Sequence, residues 1–195
     1  MRLRHLAVAA AVLAASPLQA QDITEARTGT KFPQKVDGMT LTGIGVRTRT
    51  MLKVKVYAIG LYVSDEALAG PLAAFRGKPG PELYQQLVWG DFPKQLTMKF
   101  TRDLTQEQIQ GAFRDVLASV DKAKLAAFLA YFGEIKNGQE AVLRWAPGGT
   151  LESIILGQAK APIADKDFTA AVFAIWLGGK PIQDDIKKDL VGLFK

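Results

Sequence analysis

Residues Gly43–Tyr62 read GIGVRTRTMLKVKVYAIGLY, the two central strands around which the rest of the chain is arranged. Val46, Val54, Val56, Ile59 and Leu61, with Val63 just beyond, supply the β-branched and apolar residues of strands. The segment between Thr50 and Lys53 is the only room for a reversal. A reversal centred on Leu52 makes an antiparallel hairpin in which Arg47 faces Tyr57 on one side of the sheet, Cβ atoms about 5 Å apart. A guanidinium beside a phenol is a receptor for a carboxylate or an enolate. The turn carries no Asn-Gly or Gly-Gly to fix it, and a one-residue slip would send the two side chains to opposite faces. The same pattern also admits a plainer reading, with Arg47 alternating outward alongside Arg49 and Tyr57 an ordinary sheet aromatic. Gly43, Gly45 and Gly60 sit in strands that glycine weakens. They signify either a backbone surface left open for a ligand or a bulge or tight bend.

Working outward, Gln21–Lys31 is polar and is expected to fray. Phe32–Val36 reads as a short extended piece closed by the Asp37-Gly38 turn signal. Met39–Thr50 and Lys53–Ser64 are the paired strands. Ser64 is a candidate cap for a short helix over Asp65–Arg76, and Glu82–Val88 fits strand or helix. In Gln95–Thr101, Leu96, Met98 and Phe100 alternate with Thr97 and Lys99, the pattern of a half-buried strand. Thr105 with Gln108 is a capping box, and Ile109, Ala112, Phe113, Val116 and Leu117 form an apolar stripe behind it. Asp121 caps a second helix and Asp165 a third, and Ile182–Phe194 closes the chain as an amphipathic helix. Between these, Glu140–Ala146 and Thr150–Leu156 flank Pro147-Gly148-Gly149 as a hairpin. Strands and helices come in blocks without βαβ alternation, which predicts an α+β fold: a large antiparallel sheet with helices on one face.

The chain has 195 residues, the length of one domain, and no cysteine. Arg2 and Arg4 followed by the apolar run Leu6–Ala15 and by Leu18-Gln19-Ala20 read as a secretory signal over residues 1–20. The domain is then 21–195, and the expected destination is a bacterial periplasm. The apolar run is too short for a span of about 20 residues, and no cysteine follows for a lipid anchor, so no stable membrane anchor is expected. The single histidine, His5, lies in that leader. Without imidazole or thiol, the domain has no Ser-His-Asp or Cys-His catalysis and no His-ligated zinc, and no cofactor is called for. Removing Arg2 and Arg4 leaves a net charge of about +4, from 23 basic and 19 acidic residues. The basic residues are scattered among acids, which argues against a nucleic-acid partner.

Gly43-Ile44-Gly45-Val46-Arg47, then Lys55-Val56-Tyr57-Ala58-Ile59-Gly60-Leu61-Tyr62, and the run Ala171–Gly178 followed by Pro181 resemble the chalcone isomerase-like family. The likeness runs from about Lys31 to Leu193. It implies an open-faced β-sandwich with a ligand cleft between sheet and helices, and an arginine at the place of Arg47 facing that cleft. Plant chalcone isomerases carry threonine where this chain has Tyr57. They also use a tyrosine and an asparagine on the helix that matches Thr105–Ser119, which here contains neither. The hairpin is shorter as well. The family's fatty-acid-binding members, in which an arginine and a tyrosine hold the carboxylate, look closer.

Three functions follow as expectations. The first is a periplasmic binding protein for a fatty acid or similar amphiphilic carboxylate, with Arg47 anchoring the head group, Tyr57 donating a hydrogen bond and helix aromatics lining the cleft. The second is an intramolecular lyase or isomerase acting on a phenolic enone, with Arg47 stabilising the oxyanion and Tyr57 as proton donor. The third is an accessory interaction protein whose cleft is unused.

Overall fold

A computed structural model describes residues 21–50 and 52–194. The leader reading therefore falls outside the described residues. The chain forms strands β1 (Asp22–Thr24), β2 (Lys31–Pro33), β3 (Lys35–Val36), β4 (Met39–Arg49) and β5 (Val54–Ser64), then helices α1 (Asp65–Ala69) and α2 (Pro81–Trp89). Strand β6 (Lys94–Phe100) precedes α3 (Gln106–Val116) and α4 (Lys122–Leu129). Strands β7 (Glu140–Ala146), β8 (Thr150–Ile155), β9 (Gln158–Ala159) and β10 (Ile163–Ala164) lead to α5 (Lys166–Leu177) and α6 (Asp184–Asp189). The sheet runs β10-β8-β7-β6-β5-β4-β3, with β9 on the outer side of β8, and every pairing is antiparallel.

The caps predicted from sequence form. Thr105 and Gln108 make the reciprocal capping box of α3, and the carboxylates of Asp121 and Asp165 accept from the backbone N–H groups of Lys124 and Phe168 at 2.9 Å each. Ser64 caps α1, which stops at Ala69 rather than Arg76. The ambiguous segment after Pro81 is a helix, started by proline at its first turn. The alternation in β6 places Leu96, Met98 and Phe100 in the main core, where they meet the buried faces of α2, α3, α4 and α5.

Two expectations need correction. Gln21–Lys31 does not fray: β1 and β2 form a two-stranded ribbon, and the turn between them is knotted by Glu25. Its carboxylate accepts from Thr28 N, Thr28 Oγ1 and Arg27 Nε at 2.7–2.8 Å. Those charge-assisted bonds replace the apolar content the segment lacks. The ribbon also covers part of the sheet face opposite the helices. Phe32 is fully buried there with Val46, Ala58 and Tyr62, and the Tyr62 hydroxyl donates to the Pro33 carbonyl at 2.9 Å.

The glycines of β4 and β5 have a third explanation, neither ligand surface nor tight bend. A Cβ on Gly43 would lie 2.1 Å from the Asp189 carbonyl oxygen, and one on Gly45 would lie 3.1 Å from Ile186. They are the seat on which α6 rests. Gly60, facing the other way, admits the ring of Phe32, 2.8 Å from where its Cβ would be. A bulge does occur in β4, but it falls between Leu41 and Gly43, at Thr42.

Candidate functional site

The central register of the hairpin sets Arg47 opposite Tyr57, flanked by Val46 opposite Ala58. Irregularities between Leu41 and Gly43 and between Arg47 and Thr48 absorb the mismatch at both ends. Alternation along β4 then puts Gly43, Gly45 and Arg47 on the helix-covered face. The chain after α5 runs antiparallel to that row: Leu190 lies over Gly43, Ile186 over Gly45, and Ile182 and Gln183 beside Arg47. Arg47 is thus the first side chain on this face not covered by the closing helix.

Here a cleft of about 170 Å³ opens between sheet and helices. Val56, Tyr57, Ile109, Phe113, Ile175 and Trp176 form its buried interior, while Arg49, Gln108, Asp115 and Val116 stand exposed around the mouth. Arg47 is half-buried between the two zones. Its Nη1 donates to the carbonyls of Thr48 at 3.0 Å and Ile182 at 3.4 Å, and to Gln183 Oε1 at 3.3 Å. No carboxylate pairs with it among the described residues, and its Nε and Nη2 make no hydrogen bond there. Burial pulls its pKa below the ordinary value, with Arg49 adding repulsion and Tyr57 acting in the opposite direction.

Tyr57 is held by the opposite arrangement. Trp176 Nε1 donates to its hydroxyl oxygen at 3.0 Å. An indole N–H can only donate, so the bond occupies a lone pair of Tyr57 and leaves its O–H hydrogen uncommitted. Burial pushes the phenol up to about 12, against the lowering influence of Trp176 and Arg47. It is therefore neutral near pH 7, a hydrogen-bond donor and not a base. The head of the cleft consists of donors: the unused guanidinium N–H groups and one phenolic O–H. Such a head accepts an anionic oxygen and rejects a second donor.

Both residues picked out in the sequence come together here. Sequence reasoning missed Gln183, whose Oε1 also accepts from Thr48 N at 3.1 Å while its Nε2 donates to the Val46 carbonyl at 3.2 Å. It fixes the backbone on either side of Arg47 from a position far along the chain. Trp176 is legible in the sequence only as an apolar residue of the third helix; the sign that it does more is its indole N–H, a buried donor on α5 that needs an acceptor.

A curled antiparallel sheet with helices over one face and a donor-headed cleft between them defines the class of protein. Residues 20–192 match the family model described as chalcone isomerase-like, and the chain belongs to that family. It is 28% identical over 176 residues to chalcone isomerase-like protein 1 of Humulus lupulus, covering 79% of this chain and 81% of that one. It is 25% identical over 163 residues to chalcone–flavanone isomerase of Phaseolus vulgaris, covering 70% and 73%. Among solved structures it superposes on a fatty-acid binding protein of Arabidopsis thaliana with a TM-score of 0.76, covering 88% of this chain and 96% of that one at 18% identity. At that identity the likeness establishes the fold. The α3 face turned to the cleft carries Ile109, Ala112, Phe113 and Val116 and no tyrosine or asparagine.

Proposed function

We propose that the protein is a non-catalytic binder of a fatty acid or similar amphiphilic carboxylate, exported by its leader to the periplasm. The observation that carries this reading is Arg47, a half-buried cation with no counter-ion among the described residues, at the head of an apolar cleft. A buried charge is costly unless paired, so the site is built for an anion that arrives with an apolar tail. Tyr57, kept protonated and with its O–H free, donates to the second carboxylate oxygen. The fatty-acid-binding description of the Arabidopsis structural neighbour points the same way.

The test is mass spectrometry of solvent extracts from the purified protein, wild type beside Arg47→Ala, followed by titration with octanoate. Removing one partner of a buried hydrogen-bonded charge pair costs roughly 2–5 kcal/mol. The alanine variant should therefore bind at least about 30-fold more weakly. Tyr57→Phe removes one hydrogen bond to a charged group and should weaken binding by roughly tenfold. An Arg47→Ala variant that extracts with the same carboxylates and binds octanoate undiminished would sink the assignment.

A further inference from the structure

The carboxylate reading says what the head of the cleft takes; the floor says how long the tail is. Phe113 stands at the inner end, and behind it the space is filled by rings. Phe132 lies 4.9 Å and Phe128 5.2 Å from it between centroids, and Trp176 lies 6.4 Å away. Phe128 and Phe132 are fully buried. On the sheet side Tyr57 packs edge-on against Phe100 at 5.7 Å. A tail entering past Arg47 and Tyr57 and running toward Phe113 thus meets packed aromatic rings. The cleft's volume of about 170 Å³ is close to that of an apolar cavity of about 150 Å³ that holds one benzene. It lies well under the roughly 300–1,000 Å³ of sites that enclose larger ligands.

Resting on the carboxylate reading above, we propose that this is a short-tail site whose depth is set by Phe113. It takes a carboxylate carrying one aromatic ring or about six to eight carbons, and gains nothing from a longer chain. Carbons beyond that number turn back from Phe113 to the mouth, beside the exposed Val116, and remain in water.

The test is calorimetric titration with saturated carboxylates from hexanoate to palmitate below their aggregation limits, with 3-phenylpropanoate as the ring probe. In the wild type, affinity should rise about fourfold per methylene up to about eight carbons and stay within about twofold beyond. 3-Phenylpropanoate should match octanoate. In Phe113→Ala the rise should continue for about three or four more carbons, so that laurate gains at least about tenfold over octanoate. Hexanoate, which loses the ring's contacts and gains no new wall, should bind no more tightly than in the wild type. Phe113→Leu, which keeps the core filled better, should show the same displacement at smaller size and serves if the alanine variant does not fold. Binding that depends on Arg47 yet climbs steadily to palmitate overturns the depth limit alone, as does an unchanged plateau in both variants. No binding at any length overturns the head-group reading and the depth limit with it.

Discussion

Gly43→Ala is expected to destabilise the protein by about 3–5 kcal/mol, although it adds a single methyl group in a strand. The new Cβ would stand 2.1 Å from the Asp189 carbonyl oxygen, and 2.4 Å and 2.5 Å from the carbonyl carbon and oxygen of Leu190. All three are backbone atoms, so no rotamer change relieves the clash; α6 and the turn after it must lift off the sheet. Overpacking of this kind costs typically 1–3 kcal/mol, occasionally more. The lift also strains two hydrogen bonds that clamp the same place, Thr42 Oγ1 to the Leu190 carbonyl at 3.0 Å and Leu193 N to the Thr42 carbonyl at 2.8 Å. Each contributes about 0.5–1.5 kcal/mol. Ile186, Leu190, Val191 and Phe194, all buried, lose packing with them. In a chain of this size the melting temperature should fall on the order of 10 °C. Gly111→Ala in α3 is the control: nothing lies within 4 Å of its added Cβ, and it should be neutral or stabilise by up to about 1 kcal/mol. If the glycine instead kept a backbone surface open for ligand, Gly43→Ala would melt with the wild type and only binding would change.

That contrast shows where the sequence could be read and where it could not. The order of elements, the helix caps and the Arg47–Tyr57 register were legible because each depends on residues close in the chain, ten positions apart at most for the Arg47–Tyr57 pair. The hairpin register survived two irregularities because these fall outside the central pairs, at Thr42 and after Arg47. Gly43 and Gly45 were conspicuous, but the sequence offered only a ligand surface or a bulge, since their reason is a backbone that arrives about 140 residues later. Gln183 was silent for the same reason. The β1–β2 ribbon was missed because its stability comes from a buried carboxylate and one deeply buried ring, Phe32, and not from local alternation. Arg47 and Tyr57 could be placed opposite each other from the sequence, whereas the donor character of Tyr57 needed Trp176 in view.

Lys94 broke the pattern in a readable way, and it carries the second large expectation. Counting back from Leu96 in β6 places a lysine on the core face, and there it lies, fully buried. Its ammonium sits 3.8 Å from the ring centroid of Trp145 and 4.6 Å from that of Phe92, and it donates to the Gly90 carbonyl. The charges that face it are Asp91 and Lys166, and Asp91 is already engaged by Trp145 Nε1 and Gly148 N. Burial brings the amine down from its ordinary 10.5 to about 7; Lys166 adds to the fall and Asp91 resists it. With the folded value depressed, the unfolded chain binds more protons between about pH 7 and 10.5, so stability rises with pH across that window. This contribution is complete above 10.5 and is lost as pH falls through 7. Cation–π attraction recovers part of the burial cost, about 2 kcal/mol when desolvated. The net rise should be on the order of 2–4 kcal/mol. Lys94→Met fills the same space without the charge. It should be more stable than wild type by about 1–4 kcal/mol at pH 6–7, with the advantage shrinking toward pH 10. Urea denaturation of both proteins at half-unit pH steps measures the difference and cancels every other titrating group. A constant difference across the range would mean that the aromatic surroundings hold the ammonium charged throughout, and the predicted pH dependence would be wrong.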